Sequence, residues 1–120
     1  MDGTILDELK DLTGYMGSAI TDARGNVLIS HVGQKSTLKE DDYNAVLGII
    51  NKTFVDNHQV TKALGIGGTK EMSIATDNAI ILFACTGEDN SHRHVFVALD
   101  KEGSDAFAKM IVQRIIRKVA

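Results

Sequence analysis

Apolar residues along the chain change spacing several times, and each change predicts a new structural element. Residues 4–14 show helical spacing and predict a first helix, whose apolar stripe is formed by Ile5, Leu9, Leu12 and Met16. Residues 17–30 read GSAITDARGNVLIS, which is two β-rich runs separated by a short turn. This pattern predicts a hairpin in which Gly25 adopts the positive φ that such turns need.

A longer second helix is predicted after the hairpin. Thr37 and Glu40 fit a capping box at its start, and helical spacing continues at least to about residue 54 or 55. Its apolar residues cover roughly 200° of the circumference at about 100° per residue; they are Tyr43, Ala45, Val46, Leu47, Ile49, Ile50 and Phe54. A helix lying on one sheet needs about half of that arc. The surplus predicts a second contact, with another part of this chain or with another chain.

The rest of the chain predicts three strands and a final helix. Residues 57–70 are polar and then glycine-rich, as in a connector, and strands are predicted over 71–77, 79–86 and 95–99. The 79–86 run is continuously apolar, which is typical of a strand covered on both faces. Ser104 or Asp105 begins the last helix, and its predicted apolar face consists of Phe107, Ala108, Ile111, Val112, Ile115 and Val119.

This element order, α-β-β-α-β-β-β-α, predicts an α+β fold in a single domain over residues 1–120. With helices on both faces of a five-stranded antiparallel sheet, the domain would be a three-layer α/β/α sandwich. One residue fits the pattern poorly: Gly48 lies outside the apolar arc of the second helix, where it costs about 1 kcal/mol relative to Ala. The sequence offers no reason for it.

Composition and charge disfavour certain partners and indicate the cellular compartment. A formal net charge of −3 and a pI near 5.7 argue against nucleic acid as a partner. No apolar run approaches the roughly 18–20 residues that span a bilayer, so membrane insertion is not expected. The acidic start MDGTILDELKD lacks the basic segment of a signal peptide. Together with a lone cysteine, Cys85, placed in an apolar strand, these features indicate a cytoplasmic protein.

Three motifs suggest chemistry, and each has a simpler interpretation. Residues 65–70 read GIGGTK, but their spacing fits neither a phosphate-binding loop nor a dinucleotide motif, so a flexible connector is predicted. His92 and His94 lie on the same side of a strand but have no further ligands at metal-binding spacing. Cys85, hidden in an apolar strand, is interpreted as unreactive. We therefore predict no catalytic residues, no cofactor and no metal site.

The residues around the hairpin resemble the roadblock/dynein light-chain domain family. Gly17-Ser18-Ala19 followed by Ile20 matches the small-residue motif that enters the family's first strand. Asp22 and Gly25 match its turn, and Val27-Leu28 begins its second strand. The strand over 80–85 and the strand-helix ending from residue 95 agree more loosely, so the resemblance covers nearly the whole chain.

The resemblance implies a profilin-like topology with helices one and three on one face of the sheet and helix two on the other. It also implies homodimers, in which the second helices pack together and the third strands extend the sheet. The corresponding interface residues here are Tyr43, Val46, Leu47, Ile50, Phe54, Met72 and Ile74. The surface for a docked partner is predicted at Asn44, Asn51, Lys52 and Val55.

Members of the family regulate or scaffold small GTPases and motors. The resemblance therefore implies a non-enzymatic, dimeric adaptor that binds a small Ras-like GTPase, or a motor or scaffold protein, and modulates its activity or location. No residue of this chain is identifiable as an arginine finger, so any acceleration of GTP hydrolysis would act through the GTPase's own site. The alternative is a small-molecule sensor module of profilin-like fold, although the aromatic content of 5% and the absence of clustered polar groups disfavour it.

Overall fold

The computed structural model describes residues 3–36, 39–86 and 93–119. A 3₁₀ turn at Gly3–Leu6 leads into a short helix, and the sheet and two longer helices follow. In chain order the elements are α1 (Asp7–Lys10), β1 (Tyr15–Asp22), β2 (Val27–Val32), α2 (Glu40–Ala63), β3 (Glu71–Ala75), β4 (Ala79–Cys85), β5 (Arg93–Asp100) and α3 (Asp105–Val119). The predicted order of elements is confirmed.

The five strands form one antiparallel sheet in the order β2-β1-β5-β4-β3. The strand β5 is central, and β2 and β3 are the edges. Helices α1 and α3 cover one face, where Leu9 and Val112 pack with Val97 of the sheet. Helix α2 covers the other face, where Leu47 packs with Phe96. The predicted three-layer α+β architecture is therefore confirmed.

The β1–β2 turn has the predicted conformation, with Gly25 at φ +89°. Oδ1 of Asp22 accepts hydrogen bonds from the backbone N–H groups of Arg24 and Asn26, both at 2.9 Å. Its Oδ2 accepts a third from Nδ2 of Asn26 at 2.9 Å. Burial acts to raise the pKa of Asp22, but the hydrogen bonds from Asn26 and Arg24, together with the Arg24 charge, outweigh it and lower the pKa. The turn is thus pinned by its own side chains.

The first two helices differ from their predicted bounds. The first ends at Lys10, and Gly14 at φ +78° turns the chain into β1, so Met16 belongs to a strand. Helix α2 continues eight residues past 55, to Ala63. Its sheet-facing positions continue as half-buried polar residues, His58 and Thr61, which apolar periodicity does not detect. Thr61 Oγ1 lies 3.0 Å from Thr69 Oγ1 and holds the following connector against the helix.

Helix α3 begins as predicted, but its buried face is narrower than predicted. Ser104 begins α3 as predicted, because its Oγ accepts the backbone N–H of Phe107 at 3.3 Å. Phe107 itself is 63% exposed, so the buried face of α3 consists of Ala108, Val112 and Ile115. The proposed cap residue Thr37 lies outside the described residues. Within the described part, no helix is long and apolar enough to cross a membrane.

Candidate functional site

Helix α2 crosses the sheet obliquely, and this crossing determines which of its residues are available to a partner. Near its start, Tyr43 lies over β1, where a Cβ placed on Gly17 would come within 2.9 Å of Tyr43 Oη. In its middle, Asn51 lies against Gly25 of the β1–β2 turn. Towards its end, His58 Nδ1 lies 3.4 Å from the carbonyl oxygen of Thr69, just before β3. The helix therefore passes from the β1–β2 side of the sheet to the β3 side.

Three residues of the predicted dimer interface belong to the core of this chain. Tyr43, Leu47 and Phe54 are buried against the sheet, and Phe54 is only 2% exposed. The ring centroids of Phe54 and Phe83 are 5.0 Å apart. Burial raises the pKa of Tyr43 well above its usual range, so its hydroxyl is neutral. Because these side chains are enclosed within one chain, only the remaining members, Val46, Ile50, Met72 and Ile74, stay accessible to a second chain.

One flank of α2 carries a heptad-like series that we call the α2 seam. Its members follow one another at intervals of four, three, four and three residues: Val46, Ile50, Thr53, Asn57 and Val60. All are exposed except Ile50, which is half-buried. Such an average spacing of about 3.5 residues is the pattern by which two helices pack along each other. Asn57 Nδ2 lies 3.4 Å from Met72 Sδ, so the seam borders the β3 side of the sheet.

The sheet beside the α2 seam is only partly covered. Ile50, Met72 and Ile81 are half-buried side chains at the margin of the core on the α2 face. Ile74 pairs with Ile81 in the β3–β4 ladder and is also half-buried. β3 is an edge strand of the sheet, so one side of its backbone has no neighbouring strand in this chain. The seam and this sheet margin together form one continuous, partly apolar surface.

The predicted partner-docking residues lie on the opposite flank of α2, facing the β1–β2 turn. Lys52 is exposed and Val55 half-buried, and both line a groove of about 250 Å³ together with Ala23, Arg24, Gly48 and Asn51. Asn44 is half-buried and its Oδ1 has no hydrogen-bond partner among the described residues. The prediction that Asn51 faces outwards is wrong, because it is 4% exposed.

Asn51 is buried because it bonds a buried histidine. Nδ1 of His94 donates a short hydrogen bond to Oδ1 of Asn51, and His94 is 1% exposed. The His94 ring also contacts Phe54 and Phe83, with centroids 5.0 and 5.2 Å apart. β5 begins at Arg93, two residues earlier than predicted, and carries His94 into the core. His92 lies outside the described residues.

The other motifs with potential chemistry form no metal site among the described residues. No group of three or more His, Cys, Asp or Glu there could hold a metal ion. Cys85 is buried, as predicted, and its Sγ lies 3.7 Å from the carbonyl oxygen of Thr69. Residues 65–70 form a connector, with Gly65 at φ +76° and Gly67 at φ +88°, as predicted for this segment.

A second, larger groove lies on the other side of the hairpin. It encloses about 390 Å³ and is lined by Lys10, Leu12, Gly14, Tyr15, His31, Val32, Gly33, Gln34 and Lys35. Tyr15 Oη lies 2.7 Å from Ser18 Oγ and 2.9 Å from His31 Nδ1. Burial raises the pKa of Tyr15 to about 12, and burial together with the Lys10 charge lowers the pKa of His31. Both groups are therefore neutral near pH 7.

Sequence reasoning noted Gly48 without explaining it, and it assigned neither Gly48, Arg24 nor the Tyr15–His31 pair to a site. The two strands of the hairpin pair Ser18 with His31, and Tyr15 lies three residues before Ser18. Counting residues along both strands from the turn at Gly25 would therefore have placed His31 near Tyr15. The glycine within α2 was itself the signal for the smaller groove. A Cβ placed on Gly48 would meet no atom within 4 Å, so this position opens to the groove.

The open environment of Gly48 predicts that Gly48→Ala raises the free energy of unfolding by about 1 kcal/mol, since alanine favours helix and meets no obstacle here. Urea unfolding followed by circular dichroism would measure the change. Gly17→Ala is the matched opposite case: its Cβ would lie 2.9 Å from Tyr43 Oη and 3.1 Å from the His31 carbonyl oxygen, so stability should fall. A destabilised Gly48→Ala protein would contradict the open environment of this position.

Comparison with known proteins identifies the fold. No protein-family model matches the chain, and no curated protein matches it in sequence. The structure of MglB with a tetrameric arrangement is similar at a TM-score of 0.82 and 17% identity, covering 97% of this chain and 82% of that one. The gliding protein MglB from Thermus thermophilus gives a TM-score of 0.81 and 17% identity, covering 97% and 83% of the two chains.

A Roadblock/LC7 domain from Streptomyces avermitilis is similar at a TM-score of 0.82 and 11% identity, covering 98% of this chain and 93% of that one. At these identities the likeness establishes the fold and nothing finer. The chain has the roadblock/LC7 fold, and the resemblance read from the hairpin residues is confirmed at that level.

Proposed function

We propose that this protein is a non-enzymatic, cytoplasmic homodimer that binds a small Ras-like GTPase, or a motor or scaffold protein, and modulates its activity or location. The observation that carries this proposal is the continuous surface formed by the α2 seam and the adjoining sheet margin. The roadblock/LC7 fold supports it, as does the tetrameric arrangement named for the similar MglB structure.

The dimer would use the accessible part of the predicted interface. Val46 and Ile50 would pack against the same residues of a second copy, and Asn57 in the seam would favour one register over its alternatives. The edge strand β3 would pair with its own copy, which would satisfy the backbone groups that an edge leaves open. Met72 and Ile74 would then lie at the centre of the contact instead of at its margin.

The partner would dock on the flank of α2 that faces the β1–β2 turn. Asn44, Lys52 and Val55 line this flank, and the buried Asn51 supports it from below. Any effect on GTP hydrolysis would arise from reshaping the GTPase's own site, because positioning and electrostatic stabilisation account for most phosphoryl-transfer catalysis.

Lys52→Glu should weaken binding of a GTPase loaded with a non-hydrolysable GTP analogue by about tenfold or more, since it reverses an exposed charge at the docking flank. The melting temperature should change little, because surface substitutions usually alter stability by about 0.5 kcal/mol or less. Calorimetric titration with small GTPases from the same genome would measure the affinity. Lys101→Glu is the matched control, because Lys101 is an exposed lysine that follows β5 and lies outside the docking flank.

If Lys52→Glu and Lys101→Glu bind equally well, the docking flank is misplaced. If no GTP-loaded small GTPase from that genome binds the unmodified protein, the GTPase proposal fails.

The second candidate function is the small-molecule sensor, and one observation favours it. The groove beside Tyr15 and His31 has a volume of about 390 Å³, within the range of ligand-binding clefts, and is lined by hydroxyl, imidazole, amide and ammonium groups. Both of its lysines, however, already form ion pairs: Lys10 with Asp7 at 3.2 Å and Lys35 with Asp100 at 3.1 Å. Retention of a small molecule through purification, lost in Tyr15→Phe, would favour the sensor over the adaptor.

A further inference from the structure

The groove between the β1–β2 turn and α2 has two walls from distant parts of the chain. Ala23 and Arg24 form one wall, and Gly48, Asn51, Lys52 and Val55 of α2 form the other. It is open to solvent and has a volume of about 250 Å³. The groove is therefore large enough to receive a side chain of another molecule but small for a drug-sized ligand, whose sites are typically about 300–1,000 Å³.

Both walls are held in place without any ligand. The three hydrogen bonds to Asp22 fix the turn, and Gly25 packs so closely on α2 that a Cβ there would lie 2.8 Å from Asn51 Nδ2. Asn51 is in turn bonded to the buried His94. Because the groove exists before binding, a ligand would not have to order it, and this reduces the entropic cost of association.

Two positively charged side chains line the groove, and neither forms a salt bridge with a described residue. Arg24 and Lys52 are exposed and form no salt bridge within residues 3–36, 39–86 and 93–119, whereas Lys10, Lys35, Lys109, Arg114 and Lys118 do. The nearby Asp22 uses both carboxylate oxygens for the turn. Six other cations, Lys39, Lys62, Lys70, Arg93, Lys101 and Arg117, also form no salt bridge with a described residue, so Arg24 and Lys52 are distinguished by lining the same groove.

Gly48 keeps the floor of the groove open. It lies in the interior of a 24-residue helix, where glycine is unfavourable, and no atom approaches the position that its Cβ would occupy. The absence of a side chain leaves this position open, and the apolar residues Val55 and Ala23 line the same groove. The groove thus combines a small apolar floor with a cationic rim.

We propose that this groove is a docking site for an acidic segment of a protein partner. A glutamate side chain would lay its methylene groups over Gly48 and Val55 and place its carboxylate between Arg24 and Lys52. Because charge-assisted hydrogen bonds are stronger than neutral ones, a site with two cations favours a carboxylate over a neutral side chain. The inference rests on the proposed function in one respect: the acidic segment is taken to belong to a binding partner. Each subunit offers one groove.

A fluorescein-labelled peptide of alternating glutamate and glycine tests the groove without a GTPase. Fluorescence anisotropy should show binding of one peptide per chain, weakened at least about tenfold in the Arg24→Gln/Lys52→Gln double variant. Gly48→Leu keeps both charges but fills the floor, and it should abolish binding. Lys62→Gln and Lys101→Gln remove exposed lysines outside the groove and should leave the affinity unchanged. Melting temperatures of all variants establish that each is folded.

Three results would overturn the inference. The first is equal loss of binding in the control variants, which indicates non-specific attraction between charges. The second is full binding by Gly48→Leu, which shows that the groove is not occupied. The third is displacement of the peptide by inorganic phosphate at equal concentration, which identifies a free-anion site instead.

Measuring GTPase binding by the same variants separates this inference from the proposed function. If a GTPase binds the unmodified protein and Gly48→Leu equally, the groove is not its docking site, although the adaptor function stands. If the peptide binds in the groove and no GTPase binds, the groove is a docking site for an acidic segment and the GTPase proposal fails.

Discussion

Phe54→Ala is expected to lower the free energy of unfolding by about 3–5 kcal/mol, the usual cost of removing a buried phenylalanine. Phe54 is 2% exposed and its ring contacts both Phe83 and His94, so truncation leaves a cavity between α2 and the sheet. Loss of this ring also removes one wall around the buried His94. Urea unfolding monitored by circular dichroism would measure the change.

The Phe54→Ala variant also separates a core role from an interface role. The sequence placed Phe54 in a dimer interface, where its truncation would mainly shift the monomer–dimer equilibrium and the loss would vary with protein concentration. In the core, the loss relative to the unmodified protein stays nearly constant across concentrations. Ile49→Ala is the matched control: Ile49 lies on the same helix but is 69% exposed, so its effect should be small. Similar losses in both variants would contradict the orientation of α2.

Ile50→Asp is expected to dissociate the proposed homodimer. Ile50 lies in the α2 seam at the margin of the core, and a carboxylate there would be buried without a partner at the contact, which costs several kcal/mol. Light scattering at micromolar concentration should give about twice the chain mass of 13.0 kDa for the unmodified protein and about 13.0 kDa for the variant.

Because Ile50 is half-buried within its own chain, Ile50→Asp could unfold the monomer as well, and a second variant guards against this. Val46→Glu changes an exposed member of the seam and should also give a folded monomer. Phe107→Glu is the control, because Phe107 is 63% exposed on α3, on the opposite face of the sheet, and should leave the dimer intact. An unmodified protein that is monomeric at these concentrations, or a dimer that survives both seam variants, would exclude this interface.

The fold could be read from the sequence because its main signals are local. Asp22 and Gly25 specify the hairpin turn through short-range hydrogen bonds and a positive φ, and neither depends on distant residues. The continuously apolar 79–86 run predicts an inner strand, and β4 is one. The start of α3 was likewise readable, since Ser104 bonds the N–H of Phe107 within the same turn.

The candidate site could be read only in part, because it depends on how α2 lies on the sheet. An apolar arc of about 200° shows that the helix makes two contacts. It does not show which residues meet the sheet, and so Tyr43, Leu47 and Phe54 were assigned to a partner although they fill the core. Asn51 was predicted to face solvent because it is polar, but it is buried and hydrogen-bonds the buried His94.

The sequence by itself determined the order of the helices and strands, the hairpin turn and the presence of an apolar surplus on α2, because periodicity and turn chemistry act over a few residues. The tertiary structure alone decided how that surplus is divided. The oblique crossing of α2 buries one stripe, leaves the α2 seam beside β3, and brings Arg24 opposite Gly48 and Lys52, which are more than twenty residues away in the chain. Such contacts depend on the angle and position at which two packed layers meet, and no local pattern encodes these quantities.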